Sequence, residues 1–243
     1  MLLFKKNYLH FNEIESTNDY AFSLKNKFIF REGLIISTDY QFNGKGTRSK
    51  RWESVKNQNL LLSIIIEPKL KINNKFIINQ FISLSIVDVL KSFDLNAKIK
   101  FPNDIIVDDS KISGTLIQNI VSDSIITHSI VGIGINVNQC IFQKYNLSAT
   151  SIFLHKQKIS SVKDVKYMLI NKIEQRLKEY RLGKNFTKEY NKELFKLNQQ
   201  HRFLIKNKIE IGILKEITIG GKVIVKIKNK LNSFFMNDIK FLF

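Results

Sequence analysis

The order of apolar and polar residues predicts a mixed α/β body followed by a β-rich tail. Continuous apolar runs at Leu34–Tyr40 and Leu60–Glu67 are typical of strands buried on both faces. Apolar residues at helical spacing predict core helices over Ile77–Phe93 and Val162–Leu182. Between these helices lie four strand-like segments, AKIKF, DIIVDD, SKISGTLIQNI and SIITHSIVGIGINVN, with a turn at Asp108–Ser110.

Capping and turn residues place the ends of several elements. Ser16 or Thr17 caps a helix near the start of the chain, and Ser161 and Gly183 bound the second long helix. A further short helix is predicted over about Thr187–Gln199. From about residue 201 the strands are short and alternating, which suggests a small barrel appended to the body. We therefore expect a body over residues 1–198 and a β domain over residues 199–243.

Composition is that of a globular protein, with 44% hydrophobic and 25% charged residues in 243. The single cysteine excludes an internal disulfide, and the first residues lack the order of a signal peptide. We therefore expect a cytoplasmic protein. No apolar run is long enough to span a membrane, so no membrane partner is expected. The net charge of +18 has two interpretations, a nucleic-acid or acidic partner and a general bias toward lysine codons. The even spread of lysines favours the second.

A glycine-containing basic loop, QFNGKGTRSKRWES, occupies residues 41–54. Its two glycines, Gly44 and Gly46, stand among four cations. Glycine lets a ligand approach the backbone closely, and cations suit phosphate or carboxylate. The loop is therefore either an anion-binding loop or a solvated basic turn.

Polar groups also punctuate the segment KFPNDIIVDDSKISGTLIQ, residues 100–118. Asn103 and Asp104 follow a proline, at a strand start where side chains can face a ligand. Strand alternation predicts Lys111, Ser113 and Thr115 on one face, and Gly114 on the other. A lysine in mid-strand needs exposure or a partner, and Asp104 in the preceding strand is the natural partner. The alternative is an exposed edge lysine.

Two further stretches have polar residues beside small ones. In VGIGINVN, Gly132 and Gly134 leave space over the sheet, and Asn136 continues on that face. The alternative there is a bulge, or a helix packed against the glycines. Ser16, Thr17 and Asn18 begin a helix, as a simple cap or as a site for a polar head group.

The order of these motifs resembles that of the biotin protein ligases. The matching series is STN, YQ-x-x-GKG-T-R-S-K-R-W, KFPND, KISG-x-L, GIGIN and a small β tail, and it covers nearly the whole chain. Because the motifs begin near residue 15, the resemblance is to the short class without an N-terminal DNA-binding domain, and no DNA partner is expected. The resemblance implies an α+β fold, with helices on one side of a mixed β-sheet as in class II synthetases, followed by an SH3-like β-barrel.

The resemblance also implies a reaction. Biotin and ATP with Mg²⁺ give biotinyl-5′-AMP and pyrophosphate, and the biotinyl group then passes to one lysine of a biotin carboxyl carrier domain. A homodimer is compatible with it. A lipoate–protein ligase, a catalytically silent relative and a basic nucleic-acid-binding protein are the competing hypotheses.

Residue by residue, the resemblance assigns three sets. The positions matching the biotin site are Ser16, Thr17, Asn18, Gln41, Gly44, Lys45, Gly46, Thr47, Lys111, Gly114 and Leu116. The positions matching the ATP site are Arg48, Lys50, Trp52, Asn103, Asp104 and Asn136. The candidate catalytic residues are Lys111, Asp104 and Arg48. No dedicated metal ligand is assigned, and Mg²⁺ is expected with ATP near Asp104.

Simple electrostatics accounts for these residue types. A carboxylate attacking a phosphate brings two anions together, so cations are needed beside them. The mixed anhydride that forms hydrolyses in water, so the basic loop is expected to close as a lid. The loop departs from the family pattern at Lys45, Thr47 and Ser49, which predicts weaker retention of the adenylate. Phe101 and Gln118 replace a usual Trp and a frequent Glu.

Overall fold

The computed structural model describes residues 7–47, 50–143 and 148–242. Its strands are β1 (Asn7–Phe11), β2 (Leu34–Thr38), β3 (Asn59–Ile66), β4 (Leu70–Lys71), β5 (Lys98–Lys100), β6 (Asp104–Val107), β7 (Ser110–Ser122), β8 (Ile125–Asn136), β9 (Gln200–Ile205), β10 (Lys208–Ile217), β11 (Val223–Ile227), β12 (Lys230–Phe234) and β13 (Ile239–Leu242). Its α-helices are α1 (Thr17–Ser23), α2 (Phe76–Lys91), α3 (Ile152–Lys156), α4 (Val162–Arg181) and α5 (Thr187–Lys192).

The larger sheet has the strand order β1-β2-β3-β8-β7-β6-β5, and β4 also pairs with β8. Strands β1 and β2 run parallel, whereas the other neighbours are antiparallel, so the sheet is mixed as predicted. Strand β3 is buried along its whole length, which explains its continuous apolar sequence. The predicted turn between β6 and β7 is present, and Asp108 and Asp109 adopt positive φ there.

The two faces of this sheet carry different partners. The long helices α2 and α4 cover one face, where Ile35, Leu62 and Ile133 join the main core. The short helix α1 lies against the other face, where Ala21 packs on Ile36. Alternation along each strand therefore separates an apolar face under the long helices from a second face that is only partly covered.

The tail forms a separate antiparallel sheet with the order β12-β11-β10-β9-β13. Within the described residues the two end strands do not pair, so this sheet contains the predicted strands without closing into a barrel. Its inner face joins the main core: Phe203 and Phe101 both contact Phe241, and Phe101 also meets Phe76 of α2. The tail therefore packs directly on the body.

Several element ends agree with the capping signals, and others do not. Ser16 and Ser161 accept hydrogen bonds from the first turns of α1 and α4, and Gly183 adopts a φ of +87° after α4. Helix α5 ends at Lys192, seven residues before its predicted end, and the sequence pattern did not predict β1. In the described part of the chain, no helix has the length and apolar character needed to cross a membrane.

Candidate active site over a strip of glycines

Three glycines on neighbouring strands form the floor of the candidate site. Gly134 of β8 pairs with Gly114 of β7, and Gly132 lies two residues from Gly134 on the same face. These three glycines, here called the glycine strip, lie on the face of the sheet that carries α1 and not the long helices. Side chains from three different segments lie directly above them.

The start of α1 provides the polar end of the strip. The backbone N–H and hydroxyl of Thr17 both donate to Gln41 Oε1, at 2.8 and 3.0 Å. Asn18 donates to Gln118 Oε1 at 2.9 Å and accepts a 2.6 Å hydrogen bond from Ser63. The space over Gly132 is occupied by this amide, since a Cβ there would come within 2.2 Å of Asn18 Oδ1.

Ser63 was not predicted as a site residue. It is the only polar side chain inside the apolar run LLLSIII, and it is fully buried. Its hydroxyl is 2.8 Å from Thr17 Oγ1, so it holds two of the three predicted STN side chains in place. An isolated serine in a buried strand was the available signal, because a buried hydroxyl needs a partner. Gln118, noted as a departure from the family, has the matching role on β7.

The basic loop folds over the middle of the strip as a small hairpin. The backbones of Lys45 and Arg51 form an antiparallel β-bridge. The N–H groups of Gly46 and Trp52 donate to Lys50 O and Gly44 O at 2.7 and 2.9 Å. Lys45 forms a 2.7 Å ion pair with Asp19 of α1. This hydrogen bond and the charge of Asp19 raise the pKa of Lys45. The loop is therefore tied to α1 by its lysine side chain, while Arg48 and Ser49 lie outside the described residues.

The indole of Trp52 covers the centre of the strip. A Cβ at Gly134 would come within 2.4 Å of Trp52 Cε2, and one at Gly114 within 3.2 Å of Cζ3. The indole Nε1 is buried and has no hydrogen-bond partner among the described residues. A buried N–H that lacks an acceptor is costly, so this group is suited to meet an acceptor on a ligand.

Lys111 and Asp104 form the charged end of the strip. Lys111 Nζ lies 2.6 Å from Asp104 Oδ1, as predicted, and 5.5 Å from the centre of the Trp52 ring. The prediction that Lys111 and Gly114 lie on opposite faces is wrong. The pairing of β6 with β7 shifts around Ile112, which adds one residue to β7 and reverses the alternation. Lys111 Nζ consequently comes within 3.1 Å of a Cβ placed at Gly114.

A second lysine that the sequence did not single out belongs to this end. Lys100 of β5 lies directly opposite Asp104 of the neighbouring strand β6. Burial lowers the pKa of Lys100, the Asp104 carboxylate raises it, and the charges of Lys111 and Lys50 lower it further, with a net lowering. Asp104, Lys111 and Lys50 are thus all close enough to Lys100 to affect its pKa. Such a cluster favours the arrival of an anion.

The two candidate nucleotide-side asparagines have structural hydrogen bonds here. Asn103 Nδ2 donates to Thr115 O at 2.9 Å, and buried Asn136 Nδ2 donates to Thr150 O at 2.9 Å. Asn136 of β8 lies opposite Asn59 of β3 at the end of the paired region, beyond the glycines. Both side chains therefore position backbone segments beside the strip. Across the described ranges, no three His, Cys, Asp or Glu side chains cluster closely enough to hold a metal ion by themselves.

Comparison with known proteins gives a family for this arrangement. The model of the biotin/lipoate A/B protein ligase family matches residues 11–136, just over half of the chain. The bifunctional ligase/repressor BirA of Bacillus subtilis is 27% identical over 132 residues, which are 54% of this chain and 40% of that protein. The Escherichia coli BirA is 26% identical over 125 residues, 51% of this chain and 38% of that protein. The matched segment thus spans about two-fifths of these relatives.

Solved structures show the same fold over nearly the full length. The biotin protein ligase of Aquifex aeolicus, in complex with biotin and ATP, has a TM-score of 0.82 at 23% identity, covering 98% of this chain and 99% of that chain. The biotin protein ligase of Leishmania major with biotinyl-5-AMP has a TM-score of 0.65 at 20% identity, covering 94% of this chain and 98% of that chain. With the family match over residues 11–136, the chain belongs to the biotin/lipoate A/B protein ligase family.

Proposed function

We propose that this protein is an ATP-dependent ligase that activates biotin as biotinyl-5′-AMP and transfers it to a lysine of a biotin carboxyl carrier domain. The observation that carries the proposal is the glycine strip, with hydrogen-bonding side chains at one end and the Lys111–Asp104 pair at the other. An acid with a polar ring and a carboxylate tail matches these two ends. The neighbours solved with biotin or biotinyl-5-AMP favour biotin over lipoate.

The polar end suits a ring that carries both donors and acceptors. Ser16, Thr17 and Asn18 are each more than nine-tenths buried, so their side chains are fixed before a ligand arrives. Gln41 and Ser63 hold Thr17 and Asn18 through short hydrogen bonds. A ureido ring placed here exchanges its water hydrogen bonds for fixed ones, at little further ordering cost.

The charged end suits the reacting atoms. A biotin carboxylate oxygen attacks the α-phosphorus of ATP, the bond to the bridging oxygen breaks, and pyrophosphate leaves. Lys111, with Lys100 and Lys50 nearby, offsets the repulsion between the two anions. Asp104 keeps Lys111 in place at 2.6 Å. Mg²⁺ held chiefly by the phosphates, with Asp104 as a carboxylate beside them, fits this donor set and would withdraw charge from the leaving pyrophosphate.

The loop completes the site. Trp52 packs over the strip and the Lys45–Asp19 ion pair ties the loop to α1, so the loop is placed to act as a lid that would protect a mixed anhydride from hydrolysis. The carrier's lysine amine then attacks the acyl carbon, AMP leaves, and the amine loses a proton as the amide forms. The lid must open for that lysine to enter, so loop opening is expected to limit the transfer step.

The test is the exchange of radiolabelled pyrophosphate into ATP by the purified protein, with biotin, lipoate or no acid. We expect exchange that requires biotin, and label on one lysine when an apo carrier domain is added. Exchange with lipoate alone would assign the protein to the other branch of the family. Absence of exchange with either acid, in protein that binds biotin by calorimetry, would mean a binding protein without the ligase reaction.

A further inference from the structure

A cavity open to solvent lies on the opposite face of the large sheet from the glycine strip. It has a volume of about 520 Å³ and is lined by the ends of β1 and β2 and by the start of α4. Ser37 of β2 lies two residues from Ile35, which joins the core under the long helices. Ser37 and Asp39 therefore point to that face, and Tyr8 and His10 of parallel β1 lie beside them.

The floor of this cavity is a continuous chain of hydrogen bonds. Lys166 Nζ donates to Tyr8 Oη at 2.7 Å, and Tyr8 Oη lies 2.6 Å from Ser37 Oγ. Ser37 Oγ lies 2.9 Å from His10 Nδ1, and His10 Nε2 lies 3.3 Å from Asp39 Oδ1. These five side chains come from β1, from β2 and the residue that follows it, and from α4, so their arrangement depends on the tertiary fold.

The chain includes a Ser–His–Asp sequence, but its geometry does not support a nucleophilic serine. Ser37 is only 3% exposed, and its oxygen already contacts both Tyr8 and His10. It also lies in a strand that pairs with β1 on one side and β3 on the other, whereas a nucleophilic serine is typically exposed at a sharp turn. The network is better suited to fixing the walls of a binding cavity than to attacking a substrate.

The wall formed by α4 is positively charged. Lys163 and Lys166 line the cavity from the first turns of a 20-residue helix, whose backbone dipole has its positive end there. The approach to this helix is fixed, because Asn138 exchanges two 2.9 Å hydrogen bonds with the backbone of Ser160. Two lysines beside a helix start are suited to a phosphate group.

The opposite wall differs in character. Asp39 and Asn57 line it, and both offer oxygen acceptors. A carboxylate would repel a second phosphate but accepts hydrogen bonds from hydroxyl groups. We therefore propose that this cavity binds a small phosphate monoester that carries hydroxyl groups, with its phosphate at Lys163 and Lys166 and its hydroxyls toward Asp39. The cavity volume lies in the range of small-molecule sites.

The experiment is calorimetric titration with ribose 5-phosphate, with ribose and inorganic phosphate as separate arms. The protein is first saturated with biotin and a non-hydrolysable ATP analogue, so that the nucleotide site is closed to the probe. We expect ribose 5-phosphate to bind with a Kd of roughly 1 mM or tighter, and each fragment to bind more weakly. Changes in amide chemical shift on addition of ribose 5-phosphate should be largest at residues 8–10 and 160–166.

The variant Lys163→Ala/Lys166→Ala should raise the Kd about tenfold or more, since it removes both charge-assisted contacts. Lys172→Ala is the matched control, because Lys172 lies on the same helix but lines a different cleft. The Kd of this variant for ribose 5-phosphate should equal that of the parent protein. An unchanged Kd in the double variant would overturn the proposal, as would binding only when the nucleotide site is empty. Inorganic phosphate binding as tightly as ribose 5-phosphate would refute the hydroxyl-recognising wall.

Discussion

Two charged clusters in this molecule differ in their ratio of cations to carboxylates. Arg176 of α4 is only 6% exposed and lies between the carboxylates of Asp88 and Glu189, at 2.7 and 2.6 Å. At the glycine strip, Asp104 instead lies among lysines, with Lys111 at 2.6 Å and Lys50 and Lys100 close enough to affect one another. The first cluster surrounds its buried cation with carboxylates, whereas the second places several lysines near one carboxylate beside the basic loop.

This difference separates a structural ion pair from a site. Burial lowers the pKa of Arg176, but the hydrogen bonds and charges of Glu189 and Asp88 outweigh burial and raise it. For Lys100 the balance is reversed, and the net effect lowers its pKa. A buried cation with two carboxylates needs no ligand, while mutually repelling lysines are relieved when an anion binds. The comparison predicts stability effects at the first cluster and catalytic effects at the second.

The largest expected effect is on stability, from Arg176→Leu. Removing one member of a buried ion cluster leaves its partners uncompensated, and we expect the free energy of unfolding to fall by about 3 kcal/mol. Urea denaturation measures it. Arg181→Leu on the same helix is the control, since its ion pair with Glu32 is 43% exposed on the arginine side and should contribute about 1 kcal/mol or less. Equal losses in the two variants would contradict the assignment of Arg176 as the structural cation.

The next effect is catalytic, from Lys111→Ala. Loss of a cation at the developing charge should reduce biotin-dependent pyrophosphate exchange by about 10²- to 10³-fold, with little change in the denaturation midpoint. Lys156→Ala removes a comparable but exposed pair with Asp94 and should leave exchange unchanged. Exchange within a few-fold of the parent protein would show that the charged end of the strip does not meet the reacting atoms.

A smaller effect is expected from Lys100→Met, which sharpens the comparison within the site. Lys100 lies opposite the same aspartate on β5 and interacts with it and with Lys111 through its charge, so we expect about a tenfold decrease in exchange. Lys98→Met is the matched control, because Lys98 is on the same strand and pairs with Glu193 at 3.0 Å. If both variants behave alike, the lowered pKa of Lys100 has no consequence for the reaction.

The sequence predicted most of the fold because its patterns are local. The buried strands, the long helices and their caps follow from continuous apolar runs, helical spacing and serines at the N-caps. Strand β1 could not be predicted this way. Its residues alternate between exposed and partly buried, and in the described part of the chain its only strand partner is β2, more than twenty residues later.

The candidate site was predicted in its residue types but not in its geometry. The Asp104–Lys111 pair follows from neighbouring strands, and the small polar residues at the start of α1 follow from the cap pattern. The bulge at Ile112 has no local signal, because neither glycine nor proline marks it, and it reverses the face of Lys111. Lys100 also escaped notice, since one lysine among 39 Lys and Arg residues is conspicuous only once folding buries it.

The smallest expected effect is on the stability of the protein at acid pH. Burial raises the pKa of Glu189, but the hydrogen bond and charge of Arg176 outweigh burial, so its folded pKa is lowered from 4.5. A lowered carboxylate pKa contributes stability above the unfolded value, and that contribution is lost as pH falls through the folded value. Glu189→Gln should therefore lose less stability than the parent protein between neutral pH and pH below 4.5, measured by urea denaturation along the pH range. An acid slope in Glu189→Gln equal to that of the parent protein would show that this carboxylate does not stabilise the first cluster, and would contradict the assignment of that cluster to structure.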